Sequence, residues 1–405
     1  MTRTPVRWWQ VLSMVAVALF AFQVAAAPPA SQPGAWTKHA NLEPAKGADG
    51  NMHTATCSGF PGFDSSFSFW SRQGTSKNLV VFFEGGGACW DNLTCTFPIG
   101  AGLPPQAPQF YVPAISPQAN PANFEGIFKL DNPENPVRDW SFVYIPYCTG
   151  DIHMGSATKT YSNAGNPNVP ATFAIQHRGF DNFMVVLDWI TKNFDGPKNI
   201  LVTGSSAGGY GASANFPWVQ DAYPNAHVYV IADASQGVTT NAFDTGNPGR
   251  ESWNPQLAPW VFGSDPSAIP GPELLGVAAT AYRHVKVSQF TTNLDNVQIL
   301  FYGVMKQFYG PGGTCPSAAD DWNQQMLGTL GSYASDIGNY RYYLAGGTYH
   351  TIMRSPLFYT EASAGIPYVD WVAAMLQNRG GTGGAGGGAW QDAACPTCLT
   401  ALTCP

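Results

Sequence analysis

The chain is short of charge. Only 11% of its 405 residues are Asp, Glu, Lys or Arg, well below the roughly 25% of an average soluble protein. Acidic residues outnumber basic ones, 26 to 19, for a formal net charge of −7. No cluster of Lys and Arg occurs, which argues against a nucleic-acid partner. Histidine is scarce at seven, and no H-x-x-H or H-E-x-x-H spacing marks a metal-binding helix. After residue 27 no apolar run reaches the roughly 18 to 20 residues of a membrane helix. With so few charges, Ser, Thr, Asn, Gln and Gly must cover much of the surface, a habit of exported proteins.

What the chain has in quantity is apolar and aromatic residues, 44% and 13%, together with 44 glycines and 33 prolines. A core of ample size follows. The first 27 residues read as a secretory leader. Arg3 and Arg7 supply positive charge, Val11 to Val24 is mostly apolar, and Ala25 to Ala27 offers small residues for cleavage. Residues 28–378 read as one catalytic-sized domain. Residues 379–405 read as a glycine-rich linker and a cysteine-bearing tail. Eight cysteines in an exported chain imply disulfides. Five lie in the body and three in the tail (Cys395, Cys398, Cys404). Either a tail cysteine pairs with the body or one in each group stays free. Cys395 and Cys398, with no second such pair in the chain, are expected to form a structural disulfide.

Apolar runs mark buried strands at 78–84, 140–146, 200–202, 227–232 and 340–344, and alternation marks another at 284–291. Residues 57–71 resemble an edge hairpin. Residues 170–194 read as one helix, as do 293–308 and 367–376. Strands alternating with helices over about 300 residues predict an α/β layered domain. The Pro-rich stretch 96–138 and the stretch 236–270 read as long loops near a site. The aromatic stretches 60–70 and 106–124 suit either sugar stacking or an acyl chain.

The strand at 200–202 runs into Gly204-Ser205-Ser206-Ala207-Gly208, a G-x-S-x-G in strand–turn–helix context. Such a turn holds a nucleophilic serine at its apex, with glycines where a Cβ would collide. Ser206 is the expected nucleophile. A base and an acid must follow, each in a loop after a strand. His350 sits in such a loop, whereas His284 begins its strand. Asp295 is the preferred acid and Asp233 the alternative. The oxyanion donors would be the N–H of Ala207 and that of Gly86 or Gly87, in the glycine loop after the strand at 78–84. Trp90, Asp151 and His153 are candidate cleft residues, although Asp151 and His153 suit turn or cap roles equally well.

These segments resemble the pectin acetylesterase family, which also contains the Notum carboxylesterases. The matching pieces are Cys57-Ser58-Gly59, Phe83-Glu84-Gly85-Gly86-Gly87-Ala88-Cys89-Trp90, Tyr147-Cys148-Thr149-Gly150-Asp151, the elbow, Leu294-Asp295-Asn296-Val297-Gln298 and the loop ending in His350. They run in order from about residue 50 to 375. The resemblance implies an α/β-hydrolase-type three-layer sandwich around a mostly parallel sheet. It places the family's triad on Ser206, Asp295 and His350, and its oxyanion donors on Gly86, Gly87 and Ala207. It implies a secreted or periplasmic serine carboxylesterase, removing acetyl or similar groups from a polysaccharide such as pectin. No cofactor, no metal, no nucleic acid and no stable membrane insertion are expected, and the chain is expected to be a monomer. Plant members carry cysteines around the histidine; here Gly347-Thr348-Tyr349-His350 has none. Lipid or polyester substrates on the same triad are the alternative. So are a non-catalytic binding protein on this scaffold and a metal hydrolase using Asp151, His153 and the tail cysteines.

Overall fold

The computed structural model describes residues 34–101, 108–246, 248–310, 315–377 and 389–404. The segment read as a leader and the glycine linker lie outside the described residues. Nine strands form one sheet: β1 (Trp36–His39), β2 (Phe69–Arg72), β3 (Asn78–Phe83), β4 (Ser141–Ile145), β5 (Asn199–Ser205), β6 (His227–Asp233), β7 (Lys286–Thr292), β8 (Tyr340–Ala345) and β9 (Ala393–Ala394). Their order is β1-β2-β4-β3-β5-β6-β7-β8-β9. β1 and β2 are antiparallel at one edge, and every pairing from β4 to β9 is parallel.

The apolar runs are explained by burial on both faces of the sheet. Leu79, Val81, Phe83, Val143, Ile145, Ile200, Val202, Val228 and Val230 belong to one core. The alternate residues Val80, Phe82, Phe142, Tyr144, Leu201, Tyr229 and Ile231 belong to another. Helices α1 (Gly179–Asn193), α2 (Ala207–Ala222), α3 (Leu274–Ala281), α4 (Asn296–Tyr309) and α5 (Ala318–Asp336) contribute to the first core. Helix α6 (Tyr368–Leu376) covers the other with Tyr368, Val369, Trp371, Val372 and Met375. The result is the expected helix–sheet–helix sandwich.

Three local readings differ. Residues 170–194 are not one helix: Thr172–His177 pairs with Ala157–Ser162 as an antiparallel hairpin, and α1 begins only at Gly179. The alternate burial of Thr172–His177 is a strand period that the following helical rhythm masks. The stretch 57–68 is largely irregular, and its aromatics turn inward. Helix α5 was not anticipated, because its sequence is largely polar, with only Asp321, Trp322, Asn323, Met326 and Leu330 buried.

The tail rejoins the sheet. Ala393 and Ala394 pair with Tyr343 and Leu344, and Cys404 bonds Cys315. The other disulfides are Cys57–Cys148, Cys89–Cys95 and Cys395–Cys398. A tail cysteine therefore does bond the body. Among the described residues no helix is long and apolar enough to cross a membrane.

Candidate active site

The loops after β3, β5, β7 and β8 leave the sheet at its carboxyl edge, where open parallel sheets build their sites. β5 ends at Ser205 and α2 begins at Ala207, so Ser206 alone makes the turn. Its φ of 57° and ψ of −124° put a non-glycine residue in a strained region that costs on the order of 1 to 3 kcal/mol. Neighbouring backbone enforces the glycines beside it. A Cβ on Gly204 would sit 2.3 Å from the Gly208 carbonyl oxygen, and one on Gly208 only 2.0 Å from that of Phe83. Strand, turn and helix thus close on β3 more tightly than any side chain allows. The Ser206 N–H donates to the Asp233 carbonyl at 2.7 Å.

His350 and Asp295 meet although 55 residues separate them. His350 Nδ1 lies 2.8 and 2.7 Å from the two carboxylate oxygens of Asp295. Asp295 is fully buried and caps α4, its Oδ1 accepting from the N–H groups of Val297 and Gln298, each at 3.0 Å. Its Oδ2 accepts from Gln298 Nε2 at 3.0 Å. Four fixed donors therefore hold this carboxylate in place. The other imidazole nitrogen, His350 Nε2, is buried without a hydrogen-bond partner. His350 and Ser206 border the same pocket.

Asp233, the alternative acid, is engaged elsewhere. Its Oδ2 accepts from Ser205 Oγ at 2.7 Å and from the Met353 N–H at 2.9 Å, and both its oxygens lie 3.1 Å from the Ile352 N–H. Burial pushes its pKa up to about 6. Asp233 clamps the elbow strand to the segment just after His350. A second clamp went unread in the sequence: Arg354 donates to Glu84 Oε1 at 2.8 Å and lies 3.9 Å over the Phe124 ring. Partners 270 residues apart leave no local signal.

The glycine loop borders the pocket at Gly87 and Ala88, as Ala207 does from the elbow. Gly87 has φ +74°, and a Cβ there would fall 1.8 Å from the Phe110 carbonyl oxygen. Gly86 lies one residue back, where a Cβ would meet the Tyr147 ring at 2.6 Å.

Trp90 borders the pocket, but Asp151 and His153 do not: the residues between and after them, Ile152 and Met154, do so instead. Asp151 is fully buried and accepts from Thr149 Oγ1 at 2.6 Å and the Gly179 N–H at 2.7 Å. Burial pushes its pKa up to about 6. His153 is buried with Nε2 on the Glu84 carbonyl at 2.8 Å, and burial lowers its pKa to about 4. Both are interior braces rather than cleft residues. The tail cysteines are spent in disulfides, so the donor set of the metal-hydrolase alternative does not fit a metal. A further grouping, Cys89, Cys95 and His177, fails likewise, because its two sulfurs are bonded to each other.

The pocket is strongly apolar. Trp90, Ile152, Met154, Val238, Phe243 and Trp253 line it together with Leu274, Val297, Phe301, Met305 and Trp322. From the stretch 236–270, Val238, Thr239, Phe243, Asp244, Arg250 and Trp253 line the pocket. The aromatic stretches 60–70 and 106–124 do not: Phe60, Phe110 and Tyr111 are buried in a satellite core against Cys89 and Cys95. The α4 contribution was legible in principle, since Val297, Phe301 and Met305 recur every fourth residue along one helix face.

Residues 51–252 match the family model described as pectinacetylesterase. The chain is 29% identical over 171 residues to the palmitoleoyl-protein carboxylesterase notum1 of Xenopus laevis, covering 39% of this chain and 30% of that protein. It is 27% identical over 167 residues to the mouse palmitoleoyl-protein carboxylesterase NOTUM, covering 39% of this chain and 30% of the relative. The alignments thus span about 30% of the length of these curated relatives. In fold, it is similar to the crystal structure of the Wnt deacylase Notum from Drosophila, with a TM-score of 0.55, 18% identity, and coverage of 82% of this chain and 92% of that one. Elbow, glycine loop, sheet order and these likenesses agree: over residues 51–252 the chain matches the pectinacetylesterase family, and its fold is α/β-hydrolase-like, similar to that of Notum.

Proposed function

We propose that the chain is an exported serine carboxylesterase that works through an acyl-enzyme. Ser206 is the nucleophile, His350 the base and Asp295 the residue that orients the base and stabilises its imidazolium. The observation that carries this reading is the state of His350: Nδ1 held on Asp295, Nε2 buried and unspent, in the pocket that Ser206 borders. Nε2 takes the Ser206 hydroxyl proton as Oγ attacks the ester carbonyl. The N–H groups of Ala207 and of Gly86 or Gly87 receive the developing oxyanion. The imidazolium then protonates the leaving alcohol. Water, deprotonated by the same nitrogen, releases the acid and restores Ser206. The four disulfides fit an oxidising compartment, in keeping with an N-terminal leader.

The pocket bears on the acyl group. Its wall of aromatic and aliphatic side chains supports an acyl chain of several carbons over a bare acetyl, since such a wall contributes affinity in proportion to the apolar area it covers. The curated relatives are themselves named for palmitoleoyl esters. A second reading, acetyl on a polysaccharide, is favoured by the description of the matching family model. The test is turnover of p-nitrophenyl acetate, butyrate and octanoate, and acetate release from acetylated pectin, by wild type and Ser206→Ala. The variant should lose activity by about 10⁴-fold or more; full activity in it would overturn the reading. A kcat/KM that rises with chain length supports the longer acyl group. A falling series with acetate released from pectin returns the assignment to the polysaccharide.

A further inference from the structure

One feature of the pocket wall does not belong with its apolar surroundings. Arg250 and Asp244 both border the pocket and both are 4% exposed. They face each other, with Arg250 Nη1 at 3.6 Å from Asp244 Oδ1, longer than a hydrogen bond. Most of their capacity is used on the fold. Arg250 Nη2 donates to the carbonyls of Pro266 at 3.0 Å and Ile269 at 2.5 Å. Asp244 Oδ2 accepts from Thr239 Oγ1 at 2.6 Å and from the Gly271 N–H at 3.0 Å. Two atoms are left over: Arg250 Nε, a donor, and Asp244 Oδ1, an acceptor, are each buried with no hydrogen-bond partner.

Buried polar groups are nearly always partnered, and an exception calls for an explanation. From these two unspent atoms we infer that Arg250 and Asp244 form a polar station that receives a hydroxyl group carried on the substrate's acyl chain. This rests on the esterase reading above and adds the substrate class, esters whose acyl chain carries a free hydroxyl, such as the hydroxyl-terminal unit of an aliphatic hydroxyacid polyester. A hydroxyl is the matching group because it is neutral and both accepts and donates. It accepts from Arg250 Nε–H and donates to Asp244 Oδ1. A carboxylate would meet the charge of Asp244, and an ammonium that of Arg250. A plain hydrocarbon chain would leave both atoms unsatisfied. Burial lowers the pKa of Arg250 and raises that of Asp244, in line with a pair poorly served by solvent. The pair lies on the insertion between β6 and β7, whereas Ser206 and His350 follow β5 and β8. The station is therefore built independently of the proposed triad.

The experiment uses the full chain and matched p-nitrophenyl esters. Alkanoates of four to ten carbons are compared with the same acids carrying a hydroxyl at successive positions. At one position the hydroxyl should raise kcat/KM about tenfold or more, mostly through KM. Arg250→Lys, which lacks Nε–H at that place, and Asp244→Asn should each erase the preference, with thermal melting as the check on folding. The wild-type ratio alone is decisive if a variant does not fold. A gain under about twofold at every position would mean that the pair serves the fold and holds only water, and would overturn the inference. So would a preference that survives both substitutions. Wild-type turnover without the preference sinks this inference alone; no turnover of any ester sinks the esterase reading with it.

Discussion

Replacing Asp295 with Asn separates chemistry from folding at a single atom. In the native site Oδ1 accepts from the N–H groups of Val297 and Gln298, a capping role that Asn performs as well as Asp. With the Asn oxygen kept there, its NH₂ replaces Oδ2. That NH₂ then faces two donors, Gln298 Nε2, 3.0 Å from Oδ2, and His350 Nδ1, 2.7 Å from it. Gln298 cannot flip to relieve its clash, because its Oε1 accepts from the Gln236 N–H and its Nε2 donates to Gln236 Oε1, so this contact costs some stability. The clash with His350 is relieved by moving the imidazole proton to Nε2. The base then points a proton, not a lone pair, at Ser206, and no carboxylate offsets the imidazolium. The loss should be about 10⁴-fold in kcat, the size of such a tautomer error in a serine hydrolase, or about 5.4 kcal/mol at 1.36 kcal/mol per decade. The assay is kcat on p-nitrophenyl butyrate for Asp295→Asn and Asp233→Asn beside wild type, with melting temperatures. Asp295→Asn should melt within a few degrees of wild type, and Asp233→Asn should keep far more activity. An Asp295→Asn enzyme within tenfold of wild type in kcat would refute the argument.

Further outcomes follow from the same geometry. Phe301→Trp should shorten the pocket, so that kcat/KM for octanoate falls at least about tenfold relative to acetate; an unchanged chain-length profile would show that α4 does not bound the acyl chain. Gly87→Ala should abolish soluble expression or activity, since its φ is +74° and its Cβ would overlap the Phe110 carbonyl; a fully active Ala variant would contradict that account. The acid limb of stability has opposing contributors. Burial lowers the pKa of His177 to about 3 and of His153 to about 4, so the stability each gives as a neutral ring is present above pH 6.5 and lost as pH falls. Asp151 and Asp233, raised to about 6, act with the opposite sign: theirs is fully present below pH 4 and lost as pH rises through 6. The stability gap between wild type and His177→Asn should therefore narrow by about 3 kcal/mol from pH 7 to pH 4, by urea unfolding; a pH-independent gap would count against a neutral buried His177.

The amino-acid order by itself determined a good deal. The short apolar runs at 78–84, 140–146, 200–202, 227–232 and 340–344 are strands of a sheet buried on both faces, and their shortness and flanking glycines and prolines favour strand over buried helix. The elbow was legible because Gly204, Ser206 and Gly208 lie within five residues, where strand-to-helix sterics act locally. Chain order chose His350, and it preferred Asp295 over Asp233. Tertiary structure decided what depends on distant partners. It joined His350 to Asp295 and assigned Asp233 to Ser205 and Met353. It turned Asp151 and His153 inward while turning Ile152 and Met154 to the pocket, a one-residue choice of facing that composition does not carry. It sent Phe60, Phe110 and Tyr111 to a satellite core, and drew the pocket wall from Trp90, Phe243, Trp253, Phe301 and Trp322, residues scattered over more than 230 positions that only the closing of α4, α5 and the β6–β7 insertion over the sheet brings together. The tail was settled the same way. Ala393 and Ala394 form no strand alone, and they do so here because β8 offers an unpaired edge.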